Sequence, residues 1–576
     1  MNDKQPKPMP KSTEPQPVEP QDERLPFINC HTHTFTGDHV PPYVGKKLLP
    51  IGLGYIFTIP LIVDFFRWWF LGKQSKWKYK KPYKTLIKTR FKIRLFLQKI
   101  PFIVFPLVVI LTIDTLYILF YRYSRQSYGT DDWFNHISSF KQTLQNCYLL
   151  PSENYPLVRA TIVFILFVAS KSGRNFVLFI AKSLFKFLKV LPGPQTKAYL
   201  NRYLSIGRFA FYENQSDIFE RLKQQYPDKA KFVVLPMDMD YMEAGKPRKD
   251  YLSQLEEVIQ LKEKNPENCL PFVFAEPRRI KDSPEYASKI RALITDQGFK
   301  GIKTYPALGY YPFDENLLEL MLWACENEIP VLNHCIKGTI FFRGNKKPEW
   351  NAHEVFIQST GEKLKTEPLA LYDLKNSDFA NQFTHPLNYV CLLKEPYLRK
   401  LLIKYNNQKL FDLFGYTTEL LPLKKNLNDL KICFGHFGGE DQWIKYLESD
   451  RYQSNNIFAA SLDTGIDFKE KSMENLWKYT SWFSIIYSLM LQHPNVYADI
   501  SYILSDDRIF PLLKSLLQNN SLISDRILYG SDFYVVRSQK SDKQIWTDTF
   551  SNLSADEIEL LTRTNPAKFL CNKIHQ

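Results

Sequence analysis

No two of the eight cysteines in this chain stand as a Cys-x-x-Cys pair. That excludes a zinc ribbon and fits a reducing compartment. The start of the chain has no apolar run. Residues 1–24 instead carry six prolines in their first twenty positions. Without a hydrophobic stretch this is no secretion signal, and it reads as a disordered Pro-rich tail on a chain that starts in the cytoplasm. Apolar residues are not scarce: 44% of the chain is hydrophobic, 15% aromatic and 23% charged. Those proportions exclude a disordered, collagen-like or small disulfide-stapled protein. A mean hydropathy of −0.29 excludes a chain that lies in a membrane throughout. The excess is of positive charge, +15 at neutral pH. It admits nucleic acid or an anionic membrane as partner, according to where it lies.

At about 100–200 residues per domain, a chain of 576 residues predicts about three to five domains, or fewer if one is a large α/β barrel. Eight short apolar runs of strand length recur, at 27–30, 232–235, 272–275, 301–305, 330–333, 432–435, 496–500 and 527–530. Most do not alternate, as suits strands buried on both faces of a parallel sheet. Helix-patterned stretches, such as 251–264, 285–297 and 316–327, lie between several of them. Strand then helix, eight times, predicts an α/β fold of the (β/α)₈ TIM-barrel type.

The chemistry of such barrels sits at the C-terminal strand ends. Five of the eight runs end in metal-type or titratable residues: His31 and His33, then Lys303, His334, His436 and Asp532. Residues two apart on a strand share a side, so His31 and His33 can reach one ion. Singly, each is more often a structural residue, and Asp532 after Gly530-Ser531 could cap a helix. Together they bring metal-type side chains from distant parts of the chain to one mouth.

The motifs HTHTF, GFKGIKTYPALGYYPFD, VLNHC, ICFGHFGG, ILYGSDFY and NPAKFL resemble the amidohydrolase superfamily of metal-dependent barrel enzymes. The resemblance is nearest to its amidohydrolase-related branch, which includes lactonases and non-oxidative decarboxylases. It covers residues 25–38 and 230–576. It implies that His31, His33, His334 and Asp532 ligate Zn²⁺, with one position left for water. A bound ion would supply hydroxide at neutral pH. Asp532 would be the general base, and His436 would stand beside the water or the substrate oxygen. Lys303 divides the readings. Carbamylated, it would bridge two ions; otherwise it meets a substrate carboxylate or a barrel acid. One ion is preferred. Arg278, Arg279, Tyr305 and Tyr310 could reach substrate, whereas His39, His353, His385 and His493 match no motif.

About two hundred residues separate the first two strands, where a plain barrel has a few tens. The runs 48–71 and 101–121 reach the ~20 apolar residues that span a bilayer core, and ten Lys or Arg with no acid fill 73–94 between them. The expected organisation is a barrel over 25–40 and 200–576, with a helical membrane-associated insertion over 41–199 and a lid over 338–381. The barrel is expected on the cytoplasmic side, with membrane contact through residues 45–195 and a lipophilic small-molecule substrate. Nucleic acid ranks below the membrane as the partner of the basic run. The expected function is a membrane-associated metal-dependent hydrolase that cleaves an ester, lactone or amide-like bond. One rival is a decarboxylase (a lyase) on the same metal cage, whose carboxylate clamp would have to come from Arg278 and Arg279. The other is a non-catalytic membrane scaffold.

Overall fold

The computed structural model describes residues 25–47 and 212–575, except residue 339 and segments 360–365, 372–375 and 449–464, with scattered residues between 84 and 209. By internal contacts the chain divides into two compact units, Met1–Pro60 with Ser205–Gln576, and Leu61–Leu204.

In the first unit all eight expected strands form. They are β1 (Ile28–Thr32), β2 (Lys231–Val234), β3 (Cys269–Phe274), β4 (Gly301–Thr304), β5 (Val331–His334), β8 (Ile432–Gly435), β9 (Val496–Asp499) and β10 (Ile527–Leu528). They pair in parallel in the order β1-β2-β3-β4-β5-β8-β9-β10. The ring closes between last and first: Cys30 N donates to Tyr529 O at 2.9 Å and Asp532 N to His31 O at 2.9 Å. A parallel bridge from Thr32 to Phe533 completes the seam. The result is a nearly closed eight-stranded barrel of TIM type.

Capped helices separate the strands. Tyr251–Lys264 starts at Asp250, whose side chain accepts from Ser253 N, and Glu315–Glu326 starts at Asp314, which accepts from Asn316 N. Their apolar faces, including Leu255, Val258, Leu317 and Met321, are buried against the ring.

Strand register sets the layers. Lys303, Leu332, Cys433 and Tyr497 are level on neighbouring strands. The last three pack with Ile28, Cys30, Val233, Phe272 and Leu528 into an apolar cluster. Two residues further toward the strand ends stand His334, Gly435 and Asp499. A side-chain period of two aims them as the layer below is aimed. β1 departs from that period, because its register against β2 shifts between Asn29 and Thr32. This extra residue lets Cys30 join the apolar cluster while its neighbour His31 also faces the strand-end layer.

The stretch 338–381 contains an antiparallel hairpin, β6 (Ala352–Ser359) with β7 (Thr366–Ala370). Ahead of it the chain is tied to the barrel ends: Phe342 N donates to Ala307 O and Arg343 N to Met242 O, each at 2.8 Å.

The expected membrane localisation is overturned. Among the described residues no helix is long and apolar enough to cross a membrane, which takes about 20 consecutive apolar residues. The apolar runs 48–71 and 101–121 lie outside the described residues. Residues 84–89 of the basic run are helical and exposed.

Candidate metal centre at the strand ends

β1 delivers His31 and, just past its end, His33; β5 delivers His334, and the turns after β8 and β10 deliver His436 and Asp532; all five are buried. The turns carry unusual backbone. His436, Phe437, Tyr502 and Asp532 take positive φ of 64°, 44°, 64° and 56°. Non-glycine residues with positive φ cost of order 1–3 kcal/mol each and gather where function needs them. Two glycines make room for His31. A Cβ on Gly435 would lie 2.9 Å from Asn333 O and 3.1 Å from His31 Cε1, and one on Gly530 2.7 Å from His31 Cβ.

The rings' outer nitrogens fix where the protons sit. His33 Nδ1 is 2.8 Å from the Leu235 carbonyl, which can only accept, so Nδ1 carries the hydrogen and Nε2 a lone pair. His31 Nδ1 is 2.8 Å from Asp499 Oδ2, with the same result. Both lone pairs face Asp532: its Oδ1 is 3.7 Å from His31 Nε2 and 3.2 Å from His33 Nε2. His436 Nδ1 is 3.2 Å from the Ser501 carbonyl, and its Nε2 is 3.1 Å from His334 Nδ1. His334 then donates through Nδ1. Its Nε2, like that of His31, is buried without a hydrogen-bond partner.

The five side chains form one contiguous group. One ligating atom each from His31, His436 and Asp532 lies within 4.8 Å of the others. His33 joins through Asp532, and His334 through His436. Of the expected ligands, His31 and Asp532 belong to this three-residue group, with His436 as its third member, while His33 and His334 lie outside it. Burial, Lys303 and His33 hold the His31 pKa down. Burial and the other imidazoles do the same for His334, and burial takes His436 to about 4. Neutral imidazoles are the metal-binding form.

Lys303 is wholly buried, and its Nζ has no hydrogen-bond partner. Burial lowers its pKa to about 8, against the pull of Asp499 and Asp532. Tyr305 stacks on His334 with ring centroids 3.7 Å apart and donates to Ile340 O at 3.1 Å. The Tyr310 hydroxyl accepts from Tyr305 N at 2.8 Å. The arginines are engaged. Arg278 pairs with buried Glu276 at 2.5 Å and donates to the Tyr241 and Leu308 carbonyls. Arg279 holds Asp238 and Asp240, each at 2.6 Å.

The histidines without a motif have local bonds. His353 Nδ1 accepts from Val355 N and Phe356 N, His385 Nδ1 from Leu387 N, and His39 Nδ1 from Thr36 N. His493 Nδ1 lies 3.4 Å from Asn428 O. Asp499 escaped the sequence reading. The signal was present, since Tyr497-Ala498-Asp499 ends a strand in an acid just as Gly530-Ser531-Asp532 does.

Comparison with known proteins adds one family match: the amidohydrolase family model matches residues 478–570, the segment that holds β9, β10 and Asp532. No curated protein matches the chain. Among solved structures it is similar to 2,6-dihydroxybenzoate decarboxylase from Rhizobium, at 13% identity over 62% of this chain and 87% of that one, with a TM-score of 0.32. It is similar to 5-carboxyvanillate decarboxylase from Sphingomonas paucimobilis, at 12% identity over 62% and 82%, TM-score 0.32. A zinc-bound amidohydrolase from Burkholderia multivorans is similar at 11% identity over 62% and 87%, TM-score 0.30. The resemblance to the amidohydrolase superfamily read from the ordered motifs therefore stands, carried by the family match over residues 478–570.

Proposed function

We propose that this chain is a metal-dependent enzyme of amidohydrolase type that hydrolyses an ester, lactone or amide-like bond. One observation carries the reading. His31 Nε2 and His33 Nε2 both face Asp532 Oδ1 in a buried site, at 3.7 and 3.2 Å, and His436 brings a ligating atom within 4.8 Å of His31 and Asp532. Lone pairs aimed at a buried carboxylate are costly unless a proton or a cation lies between them, and two imidazoles with a carboxylate fit a divalent ion.

The proposed ligands are His31, His33 and Asp532, with a fourth from the hydrogen-bonded pair His334 and His436. Three imidazoles and a carboxylate suit Zn²⁺, and one ion is the preferred count. A bound ion supplies Lewis acidity and takes the pKa of water from about 16 to about 7. The rest falls to the chain. Asp532, at the centre of the group, takes a proton from water and returns it to the leaving group. His436 orients or polarises the substrate oxygen. Lys303 has two possible parts: as an ammonium it would meet a substrate carboxylate, and as a carbamate, itself an anion, it would help to hold a second ion.

Hydrolysis is preferred to decarboxylation because Arg278 and Arg279, the expected carboxylate clamp, are spent on Glu276, Asp238 and Asp240. The lyase reading keeps one support of its own, since unpartnered Lys303 could hold a carboxylate in their place.

The test is a screen of the Zn²⁺- and Mn²⁺-loaded chain against esters, lactones, cyclic amides and hydroxybenzoates, following acid release and CO₂ separately. The expected result is acid release without CO₂, reduced at least about 100-fold in Asp532→Asn. CO₂ from a hydroxybenzoate would make the chain a lyase. Metal binding with neither product would remove both readings.

A further inference from the structure

We infer that Asp499, together with Ser501, is a positioning residue that fixes the proton on the outer nitrogen of His31 and so keeps Nε2 open to a cation. The inference rests on the proposal that His31 is a metal ligand and adds the group on which that ligation depends.

Asp499 ends β9 and is fully buried. Its Oδ2 meets His31 Nδ1 at 2.8 Å. Its Oδ1 accepts from the backbone N–H of His436 and from that of Ser501, each at 3.0 Å. The Ser501 hydroxyl donates to the same oxygen and lies 3.1 Å from His31 Nδ1 and 2.9 Å from His436 Nδ1. One carboxylate thus ties the β1 histidine to the backbone that carries the histidine after β8. Cys433 Sγ lies 3.9 Å from Oδ2, and the buried Lys303 ammonium feels the same carboxylate. An apolar residue would fill this place at lower desolvation cost. What the carboxylate provides is two acceptor oxygens directed at donors on different strands, and a carboxylate behind a ligating imidazole orients the ring and sets its tautomer.

Asparagine has the same shape but cannot do both jobs. With its carbonyl toward the two backbone N–H groups, its NH₂ faces His31 Nδ1. The imidazole must then accept there and carry its hydrogen on Nε2, the metal face. The opposite orientation sets NH₂ against two backbone donors that cannot change. The histidine can change, so the first orientation prevails and the metal face is blocked.

The experiment titrates Zn²⁺ into metal-free protein against a chelating dye, with metal-free melting as the check on folding. Asp499→Asn is expected to lower Zn²⁺ affinity about 10–100-fold. His31→Ala lowers it too, and in that background Asp499→Asn should add nothing. A second measurement needs no variant at Asp499. Nitrogen NMR of histidine-labelled, metal-free wild-type chain, with the His31 signals assigned by their loss in His31→Ala, should show His31 protonated on Nδ1. Equal affinity in Asp499→Asn, an undiminished effect without His31, or an Nε2-protonated His31 would each overturn the inference. A wild-type chain that binds no Zn²⁺ would overturn the proposed function instead.

Discussion

Replacing Lys303 with methionine should stabilise the metal-free protein. Lys303 is fully buried with no hydrogen-bond partner. Its pKa is lowered from 10.5 to about 8, chiefly by burial, and that figure already includes the opposing pull of Asp499 and Asp532. At about 1.4 kcal/mol per pH unit, the charged lysine costs the fold about 3 kcal/mol. At pH 7 the folded and unfolded chains are both protonated, and the whole cost is present. Between about 8 and 10.5 the folded chain gives up its proton first and the cost declines. Above that window both forms are neutral. Methionine keeps the length and flexibility of the side chain without the charge. Lys303→Met is therefore expected to be more stable by about 3 kcal/mol at pH 7, with a gap that narrows above pH 8 and closes near 10.5. Urea melts of the two metal-free proteins at pH 7, 9 and 10.5 measure it. A less stable variant at pH 7, or a gap that ignores pH, would refute the reasoning. A stabler variant with impaired turnover would show that the lysine is kept for chemistry at the expense of the fold.

Two further outcomes follow from the same geometry. Gly435 has ordinary backbone, φ −59°, so Gly435→Ala acts through its Cβ, crowding Asn333 O and His31 Cε1. It should cost about 1–3 kcal/mol in melting and weaken Zn²⁺ binding in the same titration. Acid should destabilise the metal-free chain. His436 titrates at about 4 in the fold against 6.5 when free, so the unfolded chain takes up the proton first as pH falls. About 3 kcal/mol is lost between pH 6.5 and 4 on this account, and His436→Gln should flatten that part of the stability profile.

The barrel was legible because each strand is a short apolar run with chemistry at its end. Parallel strands buried on both faces leave that pattern in sequence. The motifs also pointed to His31, His33, His334, His436 and Asp532, of which His31, His436 and Asp532 bring ligating atoms within 4.8 Å of one another. Three features were not legible. The extra residue in β1 is a matter of register against β2, which composition does not encode. Asp499 looked like any acid after a strand, and its role depends on a contact with a histidine 468 positions away. Arg278 and Arg279 looked available because their partners Glu276, Asp238 and Asp240 are brought to them by the turns after β2 and β3. The membrane localisation came from run length alone, in a stretch that lies outside the described residues.

The central claim is that His31, His33 and Asp532 share a divalent ion. Anomalous diffraction at the zinc edge, from crystals of the Zn²⁺-loaded chain, tests it most directly. The account predicts one strong peak at about 2.0–2.2 Å from His31 Nε2, His33 Nε2 and an Asp532 oxygen. No peak at this mouth, or a peak that touches none of the three, would contradict it.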